Sequence, residues 1–116
     1  MAKINIKVSI SNENSHIVFE TIAHYQENSR VLTYKEKDDT LVKYYYDKSI
    51  LTRENKNILM KYNFINEKLT IGEILIKDLN KSLNLNIYTT SIIQKDRNIE
   101  IHYEIEEKFI YKIEVI

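Results

Sequence analysis

The sequence predicts an all-β fold: a single antiparallel barrel domain of about eight to ten strands over residues 1–116, with a short helical turn as an option near 70–82. Three observations predict it. Apolar and polar residues alternate with a period of two in most segments, as half-buried strands require. The segments are short, and clusters of Asn, Asp, Ser, Glu and Lys separate them at close spacing. An open sheet of so many strands would leave two unpaired edges, and closure into a barrel removes both.

In order along the chain, "KINIKVSI" (3–10) puts Ile4, Ile6, Val8 and Ile10 on one face and Lys3, Asn5, Lys7 and Ser9 on the other. "SNENS" turns the chain into 16–26, where Ile17, Phe19, Thr21, Ala23 and Tyr25 share a face. "ENS" leads into 30–36, where Leu32, Tyr34 and Glu36 share one. "KDD" (37–39) leads into "TLVKYYY" (40–46), in which Tyr45 must oppose Tyr44 and Tyr46; Asp47 and Lys48 precede "SILTRE". Residues 50–64 read two ways. Leu51, Asn55, Ile58, Leu59 and Tyr62 fit a helix, while two strands joined at "NKN" would align Ile58, Met60, Tyr62 and Phe64. Residues 70–83 are equally divided: Thr70 and Glu73 have the spacing of a capping box, yet a strand would align Ile74 and Ile76. Residues 83–93 place Leu83, Leu85, Ile87, Thr89, Ser91 and Ile93 together. After "QKDRN", Ile99, Ile101, Tyr103 and Ile105 alternate with Glu100, His102, Glu104 and Glu106; Phe109, Tyr111, Ile113 and Val115 then share the last apolar face. With one glycine, no proline and twelve asparagines, the turns are expected at Asn and Asp, which tolerate the left-handed region.

The totals exclude several function classes. Seventeen basic and seventeen acidic residues cancel, which argues against a nucleic-acid binder that neutralises phosphates and against an anionic membrane surface. The absence of cysteine removes disulfides, thiolate metal sites and a cysteine nucleophile. The alternating start lacks the apolar run of a signal peptide, and no stretch of eighteen apolar residues offers a helical span. The cytoplasm is the default location. No nucleophile elbow, phosphate loop or HExxH occurs, and the lone Gly72 makes no phosphate cradle. No catalytic residue, metal ligand or cofactor is therefore expected, and a non-enzymatic role is favoured.

"VFETIAHY" (18–25), "LTYKE" (32–36), "LTREN" (51–55), "MKYNF" (60–64), "LNLNIYTTSI" (83–92) and "NIEIHYEI" (98–105) occur in an order and spacing that resemble the YwiB-like family of small bacterial proteins. The resemblance spans most of the chain. It implies a calycin-like (lipocalin-like) β-barrel and carries no activity with it. Two departures stand out: Ala23 replaces the family's usual glycine, and "LNKS" (79–82) replaces its glycine-containing turn.

By strand parity, Glu36 faces the same way as Leu32 and Tyr34, and Arg53 the same way as Leu51. The resemblance places both charges in motif positions. Two inward charges need each other or a ligand, because stripping a buried charge of its partner costs roughly 3–5 kcal/mol. One reading is a structural ion pair closing the barrel end. The other is a polar anchor at a pocket mouth, with Arg53 forked onto a carboxylate or phosphate, Glu36 orienting it, and Tyr25, Tyr34 and Thr89 nearby. Tyr44–Tyr45–Tyr46 is read as covering apolar sheet surface and as suited to a protein interface. His24 and His102 are read as facing solvent, and Glu100, Glu104, Glu106 and Glu107 as a solvated stretch balanced by Lys108 and Lys112.

The expected function is a cytosolic binding module holding a small apolar or amphipathic molecule inside the barrel. The alternative is a protein-interaction or self-association module, such as a homodimer, whose barrel is filled by its own side chains. Neither involves nucleic acid or membrane.

Overall fold

A computed structural model describes residues 2–116. Ten strands follow one another: β1 (Ala2–Ser11), β2 (His16–Gln26), β3 (Val31–Lys35), β4 (Leu41–Tyr45), β5 (Ile50–Glu54), β6 (Ile58–Asn63), β7 (Lys68–Ile76), β8 (Lys81–Lys95), β9 (Asn98–Ile105) and β10 (Glu107–Val115). Each pairs antiparallel with its neighbour in sequence, and β1 pairs with β10, with Ile6 opposite Val115 and Ile10 opposite Tyr111, to close the barrel. The described residues contain no helix, so none is long and apolar enough to cross a membrane.

The two divided segments are both strand pairs. Residues 50–64 form β5 and β6 around a turn in which Asn55 Oδ1 accepts from the Asn57 and Ile58 amides. Residues 70–82 form the β7–β8 hairpin rather than a helical turn, with nine paired positions from Lys68–Thr89 to Ile76–Lys81. Thr70, placed by spacing as a helix cap, instead donates its hydroxyl to the Asn63 carbonyl at 2.5 Å. The β6–β7 ladder runs only from Ile58–Ile76 to Lys61–Glu73. Beyond it, this hydroxyl and the Asn63 amide, which donates to the Ile71 carbonyl, stitch the seam. Long-range pairing along both edges of β7 overrides a local helical spacing worth only tenths of a kcal/mol per residue.

One face of every strand but β7 supplies apolar side chains to the core. Ile6, Val8, Leu32, Val42, Tyr44, Ile87, Ile101 and Ile113 are fully buried. The alternation expected in β1, β3, β9 and β10 is observed, with Ile17 of β2 exposed at the strand's start. In β8 it fails halfway. A bulge between Thr89 and Ser91 shifts the register against β9, so Ser91 faces His102 and Ile92 faces Ile101. Ile92 packs against the core while Ile93, expected beside Thr89, is exposed. An extra residue in one strand reverses parity for all that follow it.

The turns depart from expectation too. Among the described residues, seven other than glycine have positive φ: Arg30, Asp39, Ser49, Glu67, Asn80, Asp96 and Glu106. Only three of these are Asn or Asp. The single glycine is spent elsewhere: a Cβ on Gly72 would lie 2.6 Å from the Lys61 carbonyl oxygen and 2.8 Å from Ile87 Cδ1. It permits β7 to approach β6 closely where their ladder ends.

Candidate functional site

The two ends of the barrel are built differently. One end carries the turns at 27–30, 46–49, 64–67 and 96–97, and aromatic rings pack inside it. Tyr25 meets Tyr46 edge-on at 5.8 Å, and Tyr46 meets Tyr44 at 4.9 Å. The Tyr46 hydroxyl donates to the Arg97 carbonyl at 2.8 Å. The Arg97 guanidinium lies over the Tyr25 ring, and that of Arg30 over Tyr46.

The other end carries the turns at 12–15, 36–40, 55–57, 77–80 and 106, and it holds a cavity of about 290 Å³. Its walls are mostly apolar: Ile10, Leu51, Met60, Ile74, Leu85, Ile105 and Phe109. Its polar groups are the hydroxyls of Tyr34, Tyr62, Tyr103 and Tyr111 and the charges of Glu36 and Arg53. Register explains the convergence. Tyr34 pairs with Val42, Val42 with Arg53, Arg53 with Met60, and Met60 with Ile74, so one row across five strands faces inward. Glu36 stands one inward position beyond Tyr34, held by its turn: its amide donates to the Thr40 carbonyl and its carbonyl accepts from the Asp39 amide.

The small Val42 lies between β3 and β5, and the long Arg53 side chain reaches past it to Glu36. Arg53 Nη2 donates to Glu36 Oε1 in a short ion pair. The Glu36 side chain keeps 13% of its exposure and that of Arg53 32%. Burial pulls the Arg53 guanidinium down, but the hydrogen bond and charge of Glu36 outweigh it and hold the group above its ordinary value. Arg53 Nε is buried without a hydrogen-bond partner. The Tyr34 and Tyr111 hydroxyls bond each other at 2.5 Å. Burial raises both, Tyr111 most strongly, and also raises Tyr62 and Tyr103. All four are neutral at physiological pH. The cavity thus presents phenols and a compensated ion pair on a greasy wall.

Of the five residues picked from the sequence, Tyr34, Glu36 and Arg53 line this cavity. Tyr25 and Thr89 do not. Tyr25 belongs to the packed end, and Thr89 is fully buried with its hydroxyl unpartnered, opposite Tyr103 and Lys68 in the sheet. Sequence reasoning did not single out Tyr111, whose bond to Tyr34 spans the lumen from β10 to β3. Nothing local links residues 77 apart; only barrel closure does. Nor does the tyrosine run cover the outside: Tyr44 and Tyr46 point inward and are buried, leaving Tyr45 alone on the outer face.

Outside, His102 Nε2 lies 2.6 Å from Glu100 Oε2. Lys112 sits 3.6 Å from the same carboxylate, on the neighbouring strand as expected. Hydrogen bonding to His102, with help from Lys112, lowers the Glu100 carboxyl. Among the described residues, no group of three or more His, Asp or Glu side chains is placed to hold a metal ion.

Neither a protein-family model nor a curated protein matches this chain. It is similar in fold to the YwiB protein of Bacillus subtilis, known from a crystal structure. The two share 22% identity at a TM-score of 0.64, over 98% of this chain and 90% of that one. At that identity the likeness speaks for the barrel and not for an activity.

Proposed function

We propose that the protein is a binding module for a small apolar or amphipathic molecule, held in the barrel end that carries Glu36 and Arg53. The observation that supports this most is the cavity of about 290 Å³. Small barrels otherwise fill their interior with side chains. This one is at the lower limit of ligand pockets, which run from about 300 Å³ upward, and combines apolar walls with a few convergent polar groups. A calycin-like architecture, which the sequence resemblance implies, is by analogy in keeping with a lumen that holds a ligand. Tyr34, Glu36 and Arg53 are the residues assigned to the polar end of the site.

Native mass spectrometry of protein purified from its own host tests the reading. It should reveal a retained species of low mass, released on unfolding. The same preparation of Leu85→Phe, which extends a ring into the cavity, should lack it. Wild-type protein without any adduct, and without affinity for added amphiphiles, would overturn the proposal.

A second reading, self-association, rests on the outer face of β7 and β8. Leu69 and Tyr88 are register partners there, with Ile71 two residues along, and all three are exposed. A sedimentation experiment that finds only monomer at tens of micromolar would remove it.

A further inference from the structure

We infer that the cavity selects uncharged amphiphiles bearing a hydrogen-bond acceptor, such as an amide or ketone, and that Glu36 is the residue that turns anions away. The inference rests on the ligand-binding reading and assigns the chemical class of the ligand.

Two counts of the polar groups lead to it. The first is charge. Among the described residues, Arg53 is the one cation and Glu36 the one anion lining the cavity, and they are paired. A carboxylate or phosphate entering this space would lose its hydration and gain no free counter-charge. It would also bring its charge beside the Glu36 carboxylate, and like charges at such separations repel strongly where water is excluded. The anion that Arg53 could have taken from a ligand is already supplied by the protein.

The second count is of donors. A guanidinium has five N–H groups. Here Nη2 is engaged by Glu36, while Nε is buried without a partner. Tyr34 and Tyr111 share one hydrogen bond, so whichever hydroxyl donates, the proton of the other is left over. The Tyr62 hydroxyl lies beside the Arg53 guanidinium, for which its oxygen is an acceptor, and its proton goes to the Met60 sulfur at 3.8 Å, a weak acceptor. The phenols are neutral and can donate. The leftover phenol proton and the Tyr62 hydroxyl thus lack a strong acceptor, and an unmet buried donor costs about 1–3 kcal/mol. A neutral carbonyl satisfies such donors without adding charge, and its alkyl body lies against Leu51, Ile74 and Leu85.

The test is isothermal titration of the whole protein at pH 7 with three probes of equal chain length: octanamide, octanoate and octylammonium. The wild type should bind octanamide at least tenfold more tightly than either ion. In Glu36→Gln the Arg53 guanidinium loses its counter-charge and can fork onto a carboxylate. Octanoate should then gain at least tenfold and overtake the amide. Octanoate binding the wild type as well as octanamide does, or an unchanged ratio in a folded Glu36→Gln protein, would overturn the selection by charge while leaving the binding site in place. Should Glu36→Gln fail to fold, the wild-type ratio decides alone. If none of the probes binds and no host ligand is retained, the binding reading fails, and this inference with it.

Discussion

Arg53 and Glu36 are a pair whose worth depends on both being present. Each has left water for a partly enclosed site, and their attraction offsets that loss only while the geometry holds. Arg53→Met leaves Glu36 uncompensated at 13% exposure. Its unfolding free energy, measured in urea, should fall by about 2–4 kcal/mol, somewhat less than the fully buried limit because Arg53 touches solvent. The double variant Glu36→Leu/Arg53→Met should recover most of that loss. If it is no more stable than Arg53→Met, the cost lies in lost packing of the arginine stem rather than in the orphaned charge. That Glu36 shares a face with Leu32 and Tyr34 was legible in the sequence, because alternating residues of one strand can only share a face; that this face turns inward was decided by the fold. That Arg53 would reach Glu36 was not legible either: the two are separated by β4, and only the register across Val42 brings them together.

At the scale of the strand and its turns, the chain's shortage of glycine has an energetic consequence. A side chain in the left-handed region costs about 1–2 kcal/mol, and seven turns or strand ends place a residue other than glycine there. Glu106, with φ of 62° in the tight β9–β10 connection, is the clearest case. Glu106→Gly should raise the midpoint of urea unfolding, by an amount equivalent to about 0.5–1 kcal/mol after the entropy of the freer unfolded chain is set against the relief. Gly72 is the converse. Gly72→Ala drives a methyl group into the Lys61 carbonyl and the Ile87 side chain, so unfolding by the same method should be easier by about 1–3 kcal/mol. An unchanged midpoint would mean that β6 and β7 can part at this point without loss. Turn positions were well marked by polar clusters, but which turn residue takes positive φ was not. The preference for Asn and Asp is a matter of about a kcal/mol, small enough for the pairing of two long strands to override at Arg30, Ser49, Glu67 and Glu106.

The whole molecule is a closed ring of strands with phenols concentrated inside it. Burial raises the pKa of Tyr34, Tyr44, Tyr46, Tyr62, Tyr103 and Tyr111 above the usual value near 10. In the unfolded chain these groups lose their protons near pH 10, while in the folded barrel they keep them. The unfolded state then binds fewer protons, so stability is fully present below pH 10 and falls as pH rises beyond it. Each group contributes a slope of roughly 1.4 kcal/mol per pH unit in that window. Alkaline unfolding should therefore be steep, with phenolate absorbance and loss of the β-sheet circular dichroism signal rising together. Phenolate appearing for these groups while the sheet remains intact would show that the lumen is open to hydroxide.

Alternation with a period of two is a property of each strand's own backbone, and it is written in adjacent residues. From it alone followed the strand class, most turn positions, the two faces of β1, β3, β9 and β10, and the company that Glu36 keeps with Tyr34. Parity could say that Tyr45 opposes Tyr44 and Tyr46, but not which of them faces in, since both faces of β4 carry apolar groups. It could not foresee the bulge beyond Thr89, where one unpaired residue sends Ile92 inward and Ile93 out. The pairing of β1 with β10, the bond from Tyr34 to Tyr111 and the difference between a packed end and a hollow one arise only when the ring closes. They depend on register summed over ten strands, a quantity that no single segment carries.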